Sequence, residues 1–409
     1  MYKAIFHNFL YLILAALIGK GLYLLAVIVG ARYLGPEQWG IFAYAFTILA
    51  FVYLVSDFGF HTLIMRDVAS SNISRASLHR IIHIRATLGL LASAIALLYL
   101  INLAASDKAL WVFIILSLSI PFRAYYATAR SAVQGAEQGK WTVHLDGVLF
   151  GAFFLVTLVG MYSGYVFPLV LSIAWLVASG CCAYVSQRAL KCVQVSSENR
   201  EVSESSAMSL LHQALPFVLI NALVVTFHRI DVLMIESMRT LEEVGYYVAS
   251  YQLFDALALL PGLMVTALFP RMAKGAMGDS KALIHIIVIV VGVTGAAALG
   301  LYYFSEPVIQ LIYGGEFRSS SEVLRILLLG LPFMAGTMTI AHFLFSSHRE
   351  KYSAMATGIA VISNILLNIY WIPIGGIVAA AWVTSATLVL NFLLHVIMLR
   401  LLKRDSYEG

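Results

Sequence analysis

Charged residues are scarce in this chain. Asp, Glu, Lys and Arg make up only 11% of its 409 residues, whereas 61% are hydrophobic and the mean hydropathy is +0.88. Soluble domains carry about 25% charged residues, so a soluble fold is excluded. The apolar runs reach about 20 residues, the length that a helix needs to cross a hydrocarbon core about 30 Å thick. They lack the polar and apolar alternation of membrane β-strands. The sequence predicts an all-α polytopic membrane protein.

Motifs for catalysis and nucleotide binding are equally scarce. The pattern GxxxxGK[ST] is absent, which excludes direct use of ATP through a P-loop. The pair His79 and His83 in HRIIH has a metal-ligand spacing but lacks the glutamate of HExxH. The three cysteines form no CxxC pair. The net charge of +5 comes from scattered loop residues, so we expect no nucleic-acid partner. We expect no enzymatic activity, no cofactor and no bound metal apart from a coupling ion.

Long apolar runs follow one another through the whole sequence. The first follows Lys3, is longer than a signal-peptide core and has no small-residue cleavage site before Arg32, so we expect it to be retained. Tight turns are predicted at Leu34-Gly35-Pro36 and at Gly375-Gly376. The runs predict about twelve transmembrane helices, over residues 5–30, 39–64, 81–104, 109–134, 141–161, 166–186, 212–236, 243–270, 282–304, 322–346, 352–372 and 375–400.

Lysines and arginines are distributed unevenly over the loops of this topology. With the N-terminus inside, 18 of the 26 fall on the cytoplasmic side and only 4 on the opposite side, while the remaining 4 lie within predicted crossings. Cytoplasmic loops of membrane proteins are enriched in Lys and Arg. The asymmetry therefore supports twelve crossings and predicts that both termini are cytoplasmic.

The longest polar segment, 187–210, is rich in Ser and Glu and has no apolar periodicity, which is typical of a linker. It divides the chain into an N-terminal lobe, 1–186, and a C-terminal lobe, 211–409, of six crossings each. The sequence Gln38-Trp39-Gly40 resembles Glu243-Val244-Gly245, which lies about half a chain later. A duplicated unit of six crossings would repeat about an axis along the membrane normal. We expect two six-helix lobes around a central cavity.

Cations within the apolar runs are candidates for substrate binding. Lys20 and Arg123 each lie about ten or more residues from the helix ends, and Arg229 lies deep in the seventh crossing. Charges at such depth are costly unless they face water, a partner or a ligand. They suit an anionic ligand such as a phosphate or pyrophosphate. Arg32, after the first crossing, is a candidate for the outer mouth of the cavity or for an interfacial anchor.

Carboxylates at similar depth are candidates for ion coupling. Asp255 lies near the middle of the eighth crossing and is the first candidate. His228 and Asp231, three residues apart, can share a helix face and hold a proton, or form a packing hydrogen bond. Asp57 lies nearer the cytoplasmic end. The alternative for all these charges is internal ion pairing: cations with Asp57, Asp146, Asp231 or Asp255, and Asp57 itself with Arg66 or Arg85.

Three stretches of the sequence resemble a known family. They are RYLGPEQWGIFAYAF, the text DFGF at Asp57 to Phe60, and RIDVLMIESMRTLEEVGYYVASYQLF in the second half. Together with twelve predicted crossings in a six-plus-six arrangement, they resemble the polysaccharide-biosynthesis flippases of the O-antigen translocase (Wzx) type. These flippases belong to the multidrug/oligosaccharidyl-lipid/polysaccharide exporter superfamily.

The resemblance implies that an undecaprenyl-pyrophosphate-linked oligosaccharide moves from the cytoplasmic to the periplasmic leaflet of a bacterial inner membrane. It also implies alternating access coupled to Na⁺ or H⁺, and a partnership with polysaccharide polymerase machinery. The cationic cavity of that family is matched by Lys20, Arg123 and Arg229. Its motif of an arginine followed by an aspartate in the seventh helix is matched by Arg229 and Asp231. Lipid II flippases of the superfamily have fourteen crossings and several arginines on the first two helices, which disfavours lipid II as the substrate here.

Two other functions compete with this interpretation. A cation-coupled multidrug exporter of the same superfamily would need acidic residues in its cavity, whereas the deep charges here lean positive. A polymerase or ligase acting on lipid-linked sugars would need a large outer loop with catalytic residues. The longest predicted outer loop, near 305–321, is short. The flippase interpretation is therefore preferred.

Overall fold

The fold is described from a computed structural model that covers residues 2–102, 106–164, 167–193, 206–265, 280–347 and 349–405. Across these residues the regular structure is helical, which confirms the predicted all-α class. The α-helices, numbered in chain order, are α1 (Tyr2–Asp57), α2 (Phe60–Ala69), α3 (Arg75–Asn102), α4 (Asp107–Ser117), α5 (Ile120–Gly135), α6 (Gly139–Tyr162), α7 (Pro168–Cys192), α8 (Ala207–Met238), α9 (Leu241–Leu257), α10 (Ser280–Tyr303), α11 (Ser305–Tyr313), α12 (Ser320–Ser346) and α13 (Glu350–Asp405).

The first and last helices are each two crossings joined at a glycine. Each contains 56 residues, or about 84 Å at 1.5 Å per residue, which is more than twice the thickness of a hydrocarbon core. Gly35 interrupts α1 with φ 73° and ψ 171° and is followed by Pro36. Gly376 interrupts α13 with φ 56° and ψ −143°, three residues after Pro373. Both turns predicted from the sequence are confirmed.

Counting crossings from the described residues gives the predicted number. Nine helices are long and apolar enough to cross a membrane, and two of these are the double helices α1 and α13. The pair α4 and α5 makes one further span that bends by 46°. The total is twelve. Pro121, within the predicted crossing 109–134, lies in the first turn of α5, where a proline is well tolerated.

The described chain divides into two compact units. Unit 1 comprises Met1–Leu34 and Ile41–Val225, and unit 2 comprises Gly35–Gly40 and Thr226–Gly409. In unit 1, α7 packs against α4, α5 and α6, and α5 also packs against α2 and α3. In unit 2, α12 is the central helix and packs against α9, α10 and α13.

A close helix crossing lies in unit 2, where Gly35–Gly40 packs against the start of α9. A Cβ atom added to Gly40 would lie 1.7 Å from the carbonyl oxygen of Leu241, and one added to Gly245 would lie 2.0 Å from that of Pro36. Each glycine thus contacts the carbonyl four residues before the other glycine. Only glycine permits so close an approach. This close contact brings together the two similar sequences, Gln38-Trp39-Gly40 and Glu243-Val244-Gly245.

Candidate functional site

Arg123 on α5 lies inside a box of aromatic rings in unit 1. Its guanidinium carbon is 4.3 Å from the ring centre of Tyr126, 5.1 Å from that of Trp175 and 5.3 Å from that of Tyr53. A cation over an aromatic face within about 6 Å is attracted by the ring quadrupole. We call these three rings the aromatic box. They hold the guanidinium in one place.

Hydrogen bonds fix the rings of the aromatic box. The indole nitrogen of Trp175 donates to the Tyr53 hydroxyl at 3.0 Å, and that hydroxyl lies 2.9 Å from the Ser119 hydroxyl. The Tyr126 hydroxyl donates to Oδ1 of Asp146 at 2.7 Å. The box is therefore built before any ligand arrives.

The nearby carboxylate of Asp146 is already neutralised. Arg130 donates to it through Nε at 2.9 Å and through Nη2 at 3.1 Å. Among the described residues, Arg123 has no ion pair, and its Nε and Nη1 are buried without a hydrogen-bond partner. A buried donor left unsatisfied costs about 1–3 kcal/mol. Such donors on a permanent cation mark a place where an anion would be stabilised.

The other candidate cations of unit 1 lie at exposed positions. Lys20 and Arg32 are both exposed along α1 and both make further contacts. Gly19, directly before Lys20, packs closely: a Cβ there would lie 3.3 Å from Cβ of Asp146 and 3.1 Å from the Phe150 ring. The backbone at Lys20 therefore adjoins the carboxylate that is hydrogen-bonded to the aromatic box.

Asp57 takes part in a structural ion pair. Nη2 of Arg85 donates to Oδ1 of Asp57 at 2.5 Å, and Nη1 of Arg85 donates to the Thr128 hydroxyl at 3.1 Å. The Arg85 side chain is only 1% exposed. Of the two arginines considered from the sequence, Arg85 is the partner, while Arg66 pairs with Asp67 at 2.8 Å.

In unit 2, the charged residues of α8 point to different partners. Arg229 lies 3.8 Å from Asp255, with both side chains about one third exposed (29% and 33%). Nδ1 of His228 lies 3.0 Å from the Tyr251 hydroxyl. Arg229 and Asp231 are two residues apart and so face different sides of the helix, as expected from the helical repeat. The Arg229–Asp255 contact is the internal pairing that the sequence left open.

Asp231 is completely buried, at 0% exposure. The Tyr247 hydroxyl donates to its Oδ2 at 2.5 Å, and the Thr384 hydroxyl donates to the same oxygen at 2.9 Å. The other oxygen, Oδ1, is buried without a hydrogen-bond partner among the described residues. A buried carboxylate needs a proton or a cation on its free oxygen.

A buried polar cluster continues from Asp231 along α13. The Thr387 hydroxyl donates to the Thr384 carbonyl at 3.0 Å, Nδ2 of Asn364 donates to the Thr387 hydroxyl at 3.2 Å, and Nδ2 of Asn368 donates to Oδ1 of Asn364 at 3.0 Å. Oδ1 of Asn368 has no partner among the described residues. Carboxylate, amide and hydroxyl oxygens are the kind of ligand that a hard cation such as Na⁺ prefers. No group of three or more His, Cys, Asp and Glu residues in the described parts could hold a metal.

Sequence reasoning missed the two asparagines of this cluster. Asn364 and Asn368 lie four residues apart in an apolar crossing, a spacing that places them on one helix face. That spacing was the available signal. The aromatic box was missed as well, because Tyr53, Tyr126 and Trp175 come from three separate helices.

The fold is that of transporters of the multidrug/oligosaccharidyl-lipid/polysaccharide exporter superfamily. The structure is similar to that of the lipid II flippase MurJ in an inward closed conformation, with a TM-score of 0.75 and 17% identity over 94% of this chain and 86% of that one. It is also similar to an inward-facing multidrug resistance MATE transporter of the superfamily, with a TM-score of 0.72 and 13% identity over 97% of this chain and 99% of that one.

Comparison of the sequence with known families identifies the family to which the chain belongs. A family model described as polysaccharide biosynthesis protein matches residues 5–276, so the chain belongs to that family. It is 24% identical, over 94% of its length and 81% of the relative, to a probable low-salt glycan biosynthesis flippase, Agl15, of Haloferax volcanii. The family and the fold together make it a multi-pass membrane transporter rather than an enzyme, as the sequence predicted.

Proposed function

We propose that this protein is a flippase for an undecaprenyl-pyrophosphate-linked oligosaccharide, such as an O-antigen repeat unit. The observation that carries the proposal is Arg123, a permanent cation with two buried, unpartnered donors inside the aromatic box. A guanidinium matches the geometry of phosphate oxygens and binds them by charge-assisted hydrogen bonds. The family match and the flippase named among the relatives support the same substrate class.

The physical task explains why such a residue is useful. Every sugar hydroxyl that enters hydrocarbon without a partner loses its hydrogen bonds to water, which costs several kcal/mol each. The head group therefore needs a polar route, while the polyprenyl tail can remain in lipid. In unit 1, Arg123 would hold the pyrophosphate along this route, with Lys20 as a further cation and Arg32 at the outer mouth. In unit 2, Arg229 is a separate candidate cation for the same class of ligand.

Ion coupling forms the second part of the proposal. Asp231, with an unpartnered oxygen and the asparagine and threonine oxygens along α13, is suited to bind Na⁺ or to carry a proton. Asp255 on α9 contacts Arg229 on α8, and Tyr251 on α9 contacts His228 on α8. A change of charge at Asp231 on α8 would therefore alter the electrostatic environment of Asp255 and His228. An ion bound more tightly in one conformation would shift the equilibrium between the two ends of an alternating-access cycle.

The location follows from the same proposal. The protein would lie in a bacterial inner membrane with both termini in the cytoplasm, collecting its substrate on that side and delivering it to polysaccharide polymerase machinery on the other. The excess of Lys and Arg in the predicted cytoplasmic loops supports this orientation.

The test is transport of a fluorescent undecaprenyl-pyrophosphate oligosaccharide in proteoliposomes, with and without Na⁺ and H⁺ gradients. Arg123→Gln should lower the transport rate at least about tenfold, because a hydrogen bond to a charged group contributes about 1.5–3 kcal/mol. The matched control is Arg66→Gln, which removes an exposed arginine that pairs with Asp67 and should transport normally.

Two outcomes would overturn the proposal. Equal transport by the wild type and Arg123→Gln would remove Arg123 from the substrate site. A wild type that extrudes a cationic dye but does not move the lipid-linked oligosaccharide would identify a multidrug exporter. That alternative is disfavoured by the unpaired positive charge in the aromatic box, which would repel a cationic drug.

A further inference from the structure

A pocket lies in unit 1, formed by residues other than those of the aromatic box. It has a volume of about 280 Å³ and is lined by the first turns of α3, the middle of α5 and the last turns of α7. Its polar lining residues are Arg75, His79, Tyr125, Gln187 and Lys191. Small-molecule pockets typically have about 300–1,000 Å³. The pocket therefore has room for a head group rather than for a whole lipid or a nucleotide.

The lining of this pocket is basic and rich in hydrogen-bond donors. Arg75 and Lys191 carry permanent positive charge, and no Asp or Glu is among the residues that line it. Nη2 of Arg75 donates to the backbone carbonyl of Lys191 at 3.0 Å, which holds the start of α3 against the end of α7. A guanidinium has five N–H donors, so others remain for a ligand. The chemistry is that of a phosphate site.

The pocket lies where the spans α3 and α7 end. Arg75 is the first residue of a 28-residue apolar span, and Lys191 is the last residue but one of a 25-residue span. Two leucines of the lining, Leu78 and Leu190, are only 2% and 7% exposed and form its apolar part. Ends of spans lie at the level of the lipid head groups, and basic pockets between transmembrane helices attract anionic head groups.

We propose that this pocket binds the phosphate of an anionic phospholipid of the surrounding membrane, such as phosphatidylglycerol. Arg75 and Lys191 would contact the phosphate oxygens, while Gln187 and Tyr125 would donate to the glycerol or ester oxygens. The site is additional to the proposed flippase activity and shares no residue with the aromatic box, so either proposal can fail without the other.

The test is native mass spectrometry of the purified full-length protein with phosphatidylglycerol or phosphatidylcholine. The protein should retain phosphatidylglycerol in preference to phosphatidylcholine. Lys191→Gln should reduce that retention about fivefold, and the double variant Arg75→Gln with Lys191→Gln should reduce it further. Lys191→Gln leaves the backbone bond from Arg75 in place, so it should fold normally. Lys191→Arg should restore retention.

The matched control is Arg188→Gln, one turn earlier on α7. Arg188 is exposed, contacts Tyr184 and is not among the residues that line the pocket. Equal loss of phosphatidylglycerol in Arg188→Gln and Lys191→Gln would reduce the effect to general surface charge and overturn the proposal. Unchanged retention in the double variant would do the same. Displacement of the lipid by millimolar glycerol 3-phosphate would overturn the lipid assignment, because the pocket would then take a soluble phosphate ester.

Discussion

Buried charged residues in the described part of this protein differ in whether a counter-charge lies beside them. Asp57, Arg85, Arg130 and Asp146 all have counter-charges within hydrogen-bond distance. Arg123 and Asp231 have no ion pair among the described residues, and buried polar atoms on both side chains lack hydrogen-bond partners. Nε of Arg85 also lacks a partner, but the charge of Arg85 is balanced by Asp57. A buried charge without a counter-charge costs free energy unless a ligand or an ion pairs with it. We therefore assign function to these two residues and a structural role to the four paired ones.

The substitution Asp231→Asn tests the cation assignment at this position. The amide keeps its shape and can still accept from Tyr247 and Thr384, so folding should be preserved, but the negative charge is lost. For the wild type, we expect NaCl to raise the thermal unfolding temperature in detergent above that in choline chloride, because a ligand that binds only the folded state stabilises it. Asp231→Asn should lose this difference.

The control for this experiment is Asp67→Asn, which removes a partly buried carboxylate that pairs with Arg66 and should keep the full Na⁺ effect. An Asp231→Asn protein that responds to Na⁺ as the wild type does would disprove Na⁺ binding by this carboxylate. If neither protein responds to Na⁺, transport driven by a proton gradient becomes the remaining test, and Asp231→Asn should abolish it.

Individual helices were predicted well where the apolar pattern alone decides them. The turns at Gly35 and Gly376 were expected because Gly35 adjoins Pro36 and because the pair Gly375-Gly376 follows Pro373, and both glycines have positive φ. The break at Phe58 and Gly59 was not expected, since the run 39–64 appears continuous in sequence. A Cβ on Gly59 would lie 2.5 Å from the carbonyl oxygen of Ala214. A contact between residues so distant in sequence decides that break.

The close helix contact at Gly40 and Gly245 leads to the most specific stability prediction. Gly40→Ala or Gly245→Ala would force a methyl group into a backbone carbonyl at 1.7 or 2.0 Å. The helices must then separate, and we expect each substitution to destabilise the protein by about 1–3 kcal/mol, as for overpacked cores. Thermal unfolding in detergent measures the effect.

The comparison variant is Gly292→Ala in α10, also in unit 2, where an added Cβ meets nothing within 4 Å. An alanine in an open helical position should be neutral or stabilise by about 0.5–1 kcal/mol. The two kinds of variant should thus shift the unfolding temperature in opposite directions. Equal shifts for Gly40→Ala and Gly292→Ala would refute the close crossing.

For the molecule as a whole, the number of crossings could be predicted from the sequence, whereas the sites could be predicted only in part. The twelve crossings follow from run length, which is local. Arg123 and Asp231 stood out because charges are rare in apolar runs. Their surroundings did not, because the aromatic box and the asparagine cluster are assembled from separate helices whose residues look like ordinary packing in sequence.

The orientation of the whole chain in the membrane is the remaining property that one experiment can decide. The uneven distribution of Lys and Arg predicts that the end of α7 is cytoplasmic and that the turn after α6 is on the opposite side. Cys192 at the first position and Ser163 at the second are both exposed. One reporter would keep Cys192 and carry Cys181→Ser and Cys182→Ala. The other would carry Ser163→Cys and lack all three native cysteines.

A membrane-impermeant maleimide applied to intact cells should label the Ser163→Cys reporter and spare the Cys192 reporter. Permeabilised cells should show labelling of both, which controls for reactivity. The reverse pattern in intact cells would place both termini outside. The positive charges of Arg75 and Lys191 would then face the outer surface, and the polar route would have to collect its substrate from that side. A flippase that exports material made in the cytoplasm could not have that orientation.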